Sequence, residues 1–215
     1  MNSTRNAVMT SAGRSALDTY LSEHGVGPEG VPLKWSKEST YVRNDTGEEV
    51  KVGTELVCIY TETQAGRIKF SGKGVPPERH MGPIFEGYLP PPRAELGDLD
   101  ESLWDRDLSG KPADPWQEQM LLPLQDAENG EMFYFTTTSI TGRKAVQNLL
   151  RQCERLAKKE PGYWPVVRLA TGGFDHRDER VGFVKTPAFI VVGKTPKETG
   201  AKLAVAQDLD DEIGF

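Results

Sequence analysis

The sequence predicts a β-rich α+β protein: a small OB-like Greek-key barrel with one helix, a long Pro-rich acidic loop and a disordered C-terminal tail. Three observations carry that reading. Short β-branched and aromatic runs recur between turn residues, as strands do. One stretch, Lys144 to Lys159, has helical period. That stretch follows several strands and precedes a closing pair, which is where a small barrel of this type sets its helix, between its third and fourth strands. A mixed α+β sheet satisfies the same order.

The elements follow along the chain. Residues 1–30 are polar and punctuated by Gly25, Gly27, Pro28 and Gly30, and read as a mobile arm with at most a short helix from Ala16 to His24. Residues 31–200 form the body. Trp35 to Arg43 is the first strand candidate, closed by the Asn44-Asp45-Thr46-Gly47 turn. Glu55 to Tyr60 and Arg67 to Phe70 read as paired strands. Residues 72–115 hold eight prolines among many acids and read as an excursion with little regular structure, Leu89 to Pro92 being polyproline. Trp104 and Trp116 are expected to pin it to the core. Leu121 to Leu124 and Met132 to Thr138 form a hairpin around Asn129-Gly130. In the helix, Ala145, Val146, Leu149, Leu150, Cys153, Leu156 and Ala157 share one stripe, and Pro161-Gly162 ends it. Trp164 to Ala170 and Val181 to Val192 are the closing strands. Residues 201–215 form a flexible tail.

Composition bounds the function. The chain has 215 residues, 37% of them apolar, enough for one core with long loops. Cys58 and Cys153 lie far apart in apolar patterns and read as buried reduced thiols, which fits a cytoplasmic protein. No apolar run is long enough to span a membrane, and residues 1–30 lack a signal peptide's apolar core. The net charge of −6 hides an asymmetry. Glu86 to Met132 carries 12 acids against 3 bases, whereas Ile140 to Gln207 carries 13 bases against 6 acids. A basic segment in an acidic chain can still hold a polyanion, because the local field steers it.

Binding of single strands needs rings that stack on bases beside cations that follow the backbone. Trp164, Phe174 and His176 with Arg168, Arg177, Arg180 and Lys185 supply both within one short stretch, and Tyr163 stands beside them. Gly172-Gly173 lets that hairpin approach a strand closely. Arg67 and Lys69 share a sheet face by alternation. Against this, Phe133, Phe135, Phe183 and Phe189 are expected in the core. Enzyme signatures are lacking: no phosphate loop, no serine elbow, and no histidine with a second ligand at metal spacing. Asp175, His176, Asp178 and Glu179 could hold a divalent ion, but the interleaved Arg177 and Arg180 favour an ion-paired loop. No cofactor is expected.

The last residues, Asp208-Leu209-Asp210-Asp211-Glu212-Ile213-Gly214-Phe215, join an acidic run to a short apolar end. This segment resembles the C-terminal tip of bacterial single-stranded DNA-binding proteins, a docking peptide for replication and repair proteins. Asp208, Asp210, Asp211 and Glu212 match the acidic run, and Ile213 and Phe215 match the apolar pair. Gly214 replaces the usual Pro. The resemblance is confined to these eight residues and implies partners that read the tip. A merely solubilising acidic end is the plainer alternative.

The expectation is a non-enzymatic, sequence-tolerant single-stranded DNA-binding protein of replication, repair or recombination, from a divergent lineage such as a phage or mobile element. The alternatives are an interaction protein that mimics the docking tail without binding DNA, and a metal-dependent nuclease using Asp175, His176 and Glu179.

Overall fold

A computed structural model describes residues 30–70, 75–107 and 110–197. The expected arm, the short helix at Ala16 to His24 and the acidic tail lie outside them. Ten strands make one sheet: β1 (Val31–Trp35), β2 (Tyr41–Arg43), β3 (Glu49–Val50), β4 (Glu55–Cys58), β5 (Gln64–Lys69), β6 (Glu78–Pro83), β7 (Trp116–Gln125), β8 (Met132–Thr137), β9 (Tyr163–Asp175) and β10 (Phe183–Pro196). One long helix, α1 (Ile140–Lys159), falls between β8 and β9. The strand order is β10-β9-β4-β7-β8-β1-β2-β3, with β5 against β7 and β6 outside β5. Most pairs are antiparallel, and β1 runs parallel to β8.

The centre of the sheet is β7, flanked by strands on both edges, and its apolar run Met120 to Leu124 is buried throughout. Pro123 is tolerated there for a local reason. On that edge β4 ends with Cys58 opposite Leu124 and β5 begins with Gln64 opposite Leu121. Pro123 falls in the gap, where no ladder N–H is asked of it, and its carbonyl accepts from Ile59 N at 3.2 Å.

The sheet curls. Tyr41 of β2 packs its ring on Phe135 and Phe189, 5.9 and 6.0 Å between centroids, and so reaches β10 from near the opposite end of the strand order. Residues on the inner face, including Leu33, Leu56, Leu122, Leu124, Phe135 and Leu169, are buried under α1. The helix contributes Val146, Leu149, Leu150 and Cys153, the stripe that the 3.6 period marks. Burying each such side chain contributes about 1.5–3 kcal/mol. The molecule is thus a β-rich half-barrel with one helix over its inner face among the described residues.

Several boundaries differ from expectation, each for a readable reason. The helix begins at Ile140, ahead of Lys144, because Ser139 caps it, its Oγ accepting from Gly142 N at 3.0 Å. Gly142 is needed there, since a Cβ would lie 2.1 Å from Thr137 Oγ1. Trp35 to Arg43 is two strands around a tight turn, with Ser39 at φ 64° and Ser36 Oγ accepting from Glu38 N.

The expected pairing of Glu55–Tyr60 with Arg67–Phe70 does not occur. A single 3₁₀ turn, Tyr60–Glu62, carries the chain forward, so β4 and β5 lie end to end on one edge of β7. The excursion is also more ordered than its prolines suggest. Its first part supplies β6, paired with β5 along six residues. Its remainder is pinned as expected of the tryptophans: Trp116 is buried and its Nε1 donates to Leu96 O at 3.1 Å, and Trp104 Nε1 donates to Asp98 O at 2.8 Å. No described helix is long and apolar enough to cross a membrane.

Candidate nucleic-acid interface

The distal part of the β9–β10 hairpin is largely exposed. Inside the body, Leu169 pairs with Phe189 and both are buried. Beyond Thr171↔Pro187 the two strands pair only with each other, through Gly172↔Thr186, Gly173↔Lys185, Phe174↔Val184 and Asp175↔Phe183. Those four pairs project about 13 Å at ~3.3 Å per residue. β10 is the edge strand of the sheet, so the hairpin is open to solvent on that side.

Paired residues share a face. Phe183 and Lys185 therefore continue the face that carries Phe189 further in, while Phe174 and Val184 lie on the other. Phe183 is 60% exposed and Phe174 44%, so the projecting hairpin offers one ring on each face. The expectation that Phe183 belongs to the core is incorrect. Its alternation puts it in register with Phe189, but the body ends before it does. Phe133, Phe135 and Phe189 are buried as expected. The Phe183 ring lies over Gly173, where a Cβ would come within 2.4 Å of it. Gly173 is thus the floor on which that ring rests.

Cations gather at the tip. Arg177 and Lys185 are exposed and make no ion pair among the described residues. Arg180 is held by Asp178, 2.6 Å between Nη2 and Oδ2, and this partner lowers the Asp178 carboxyl below its ordinary range. His176 is exposed and its Nδ1 accepts from Asp178 N at 3.0 Å. Asp178 therefore serves Arg180, and no three His, Cys, Asp or Glu side chains gather as metal ligands among the described residues.

The other expected contact residues are not brought to the hairpin tip. Trp164 is at the far end of β9, ten residues or about 33 Å from Phe174 at ~3.3 Å per residue. It packs edge-on to Tyr60, with centroids 5.7 Å apart, and carries Lys197 over its ring. Arg168 lies mid-strand and pairs with Glu55 at 2.7 Å. Lys69 pairs with Asp98 at 2.6 Å and helps clamp the excursion. Arg67 lies in a cleft between β5, β7 and α1. Asp208, Asp210, Asp211, Glu212, Ile213 and Phe215 fall outside the described residues.

No protein-family model, no curated protein and no solved structure matches this chain.

Proposed function

We propose that this chain is a sequence-tolerant single-stranded DNA-binding protein, built on an OB-like Greek-key half-barrel. The observation that carries the reading is the projecting hairpin with an exposed ring on each face and Arg177, Arg180 and Lys185 beside them. A ring on a projecting, Gly-floored hairpin is placed to stack on bases, and any base offers a π-face. Lys185, two residues from Phe183 on the same face, is placed for the adjoining phosphate. The contacts involve no base edges that would select sequence, so binding is tolerant of sequence and sensitive to salt.

The acidic segment Asp208 to Phe215 recruits DNA-processing partners in this reading, through its carboxylates and the Ile213 and Phe215 side chains. The test is a titration of fluorescent oligo-dT against the same length of duplex, with and without magnesium. Binding to oligo-dT, weaker binding to duplex and intact DNA support the proposal. No binding to oligo-dT at low salt leaves the tail-mimic alternative, and cleavage with magnesium supports the nuclease.

A further inference from the structure

The cleft around Arg67 is a second basic site, lined by residues outside the β9–β10 hairpin. It has a volume of about 360 Å³ between the N-terminal half of α1 and strands β5 and β7. Arg67, Arg143 and Arg151 line it together with Glu118, and Met120, Leu150 and Pro90 give it an apolar side. Three guanidinium charges against one carboxylate leave two positive charges.

The arginines are not equally committed. Arg143 is fixed by the protein: Nη1 donates to Thr138 O at 2.7 Å and Glu118 O at 3.1 Å, and Nη2 pairs with Glu118 Oε2 at 2.9 Å. Arg67 reaches Glu118 only at 4.0 Å, and among the described residues its buried Nε has no hydrogen-bond partner. A buried donor without a partner is costly, and structures rarely keep one without a reason. Arg151 is exposed at the rim and, among the described residues, is bonded only to the neighbouring Asn148 side chain at 2.9 Å.

We propose that this cleft binds a nucleoside phosphomonoester, with the phosphate held by Arg67 and Arg151 and the base against Met120, Leu150 and Pro90. The charge matches: a phosphomonoester carries about −1.5 to −2 at neutral pH, whereas an internal strand phosphate carries only one charge. The size matches too, because this volume lies at the small end of the roughly 300–1,000 Å³ of ligand sites. The ligand is either a free nucleotide or the phosphorylated end of a strand. The preference for a nucleoside over other phosphomonoesters rests on the strand-binding reading; the anion site itself does not.

The test uses the full chain, titrated calorimetrically with dTMP, thymidine and inorganic phosphate. Oligo-dT with and without a 5′-phosphate is then compared at high salt. The expected result is dTMP binding at least about tenfold tighter than either thymidine or phosphate. Arg67→Gln and Arg151→Gln should each weaken dTMP by about tenfold or more. Arg151 sits on an exposed helix face, so its variant reads the site even if Arg67→Gln unfolds the protein. A 5′-phosphate effect that is lost in Arg151→Gln assigns the site to strand ends, and its absence assigns it to free nucleotides. No dTMP binding at about 10 mM, or equal binding by the Arg151→Gln protein, overturns the proposal. Oligo-dT binding without dTMP binding refutes the cleft and spares the hairpin reading; dTMP binding without oligo-dT binding does the reverse.

Discussion

The Tyr41 hydroxyl lies 2.8 Å from the Ala188 carbonyl oxygen and accepts from the Ala188 amide at 3.0 Å, so a β2 side chain is bonded into β10. The Ala170 carbonyl is also within 3.0 Å, and the single hydroxyl hydrogen can serve either acceptor. This contact ties β2 to the β9–β10 pair near the opposite end of the strand order and holds the half-barrel curled. It also anchors the root of the hairpin, one pair outward from Leu169↔Phe189.

Tyr41→Phe should therefore cost about 1–3 kcal/mol, the penalty for leaving a buried backbone donor without its partner. Urea unfolding should show a lower midpoint at unchanged slope. Burial also raises the Tyr41 phenol well above its ordinary value. An unfolded tyrosine ionises near pH 10, so the folded state keeps a proton that the unfolded state gives up. This contribution is complete below about pH 10 and is lost as pH rises beyond it. The wild type should lose stability above about pH 10 more steeply than Tyr41→Phe does, measured by denaturation at a series of alkaline pH values.

Cys58 and Cys153 are both fully buried and unpaired as a disulfide. Burial pushes the Cys58 thiol far up, and its neighbour Cys153 adds to that, so little thiolate is present at neutral pH. A thiol-reactive dye should label neither cysteine in the folded protein. Both should react at once in denaturant.

The excursion is held by Arg93, whose Nε pairs with Asp114 at 2.6 Å while Nη1 and Nη2 donate to the Gly97 and Asp98 carbonyls. Arg93→Ala removes all of these and should expose residues 88–115 to proteinase K well before the β7–β10 body. If wild type and variant are cut at the same rate, Arg93 does not hold the segment.

Gly173→Ala would put a methyl 2.4 Å from the Phe183 ring and 2.7 Å from the Val184 carbonyl. The ring has to leave its floor. Oligo-dT affinity should fall by about 1–3 kcal/mol, the worth of one stacked base. Thermal stability should fall as well, because the backbone at Val184 must shift, but by less than a core substitution costs, since this part of the hairpin packs outside the core.

The helix and the β7–β8 hairpin were legible because periodicity and Asn129-Gly130 are local signals; the connection is longer than a two-residue turn, running from Asp126 to Glu131, with Gly130 at φ 75°. What the sequence does not encode locally is where the body stops. Alternation states correctly that Phe183 and Phe189 share a face, but not that α1 covers one and leaves the other in solvent. The same blindness separates Trp164 from Phe174: they are close in sequence, yet an extended strand puts them at opposite ends. Strand partnership failed similarly at β4 and β5, because a single 3₁₀ turn decides between reversing and continuing. Arg67 was legible as a sheet cation but not as part of a cleft, since its neighbours Arg143 and Arg151 come from a helix distant in sequence.

The most direct test of the central claim is a fluorescence titration of oligo-dT with wild type, Phe174→Ala and Phe183→Ala at two salt concentrations. Wild type should bind saturably, with a negative slope of log affinity on log salt of about −0.7 per phosphate contacted. At least the Phe183 variant should lose about 1–3 kcal/mol, with the fold intact by circular dichroism. Absence of binding at low salt, or binding that neither ring affects, would contradict the assignment of the hairpin as the strand-binding surface.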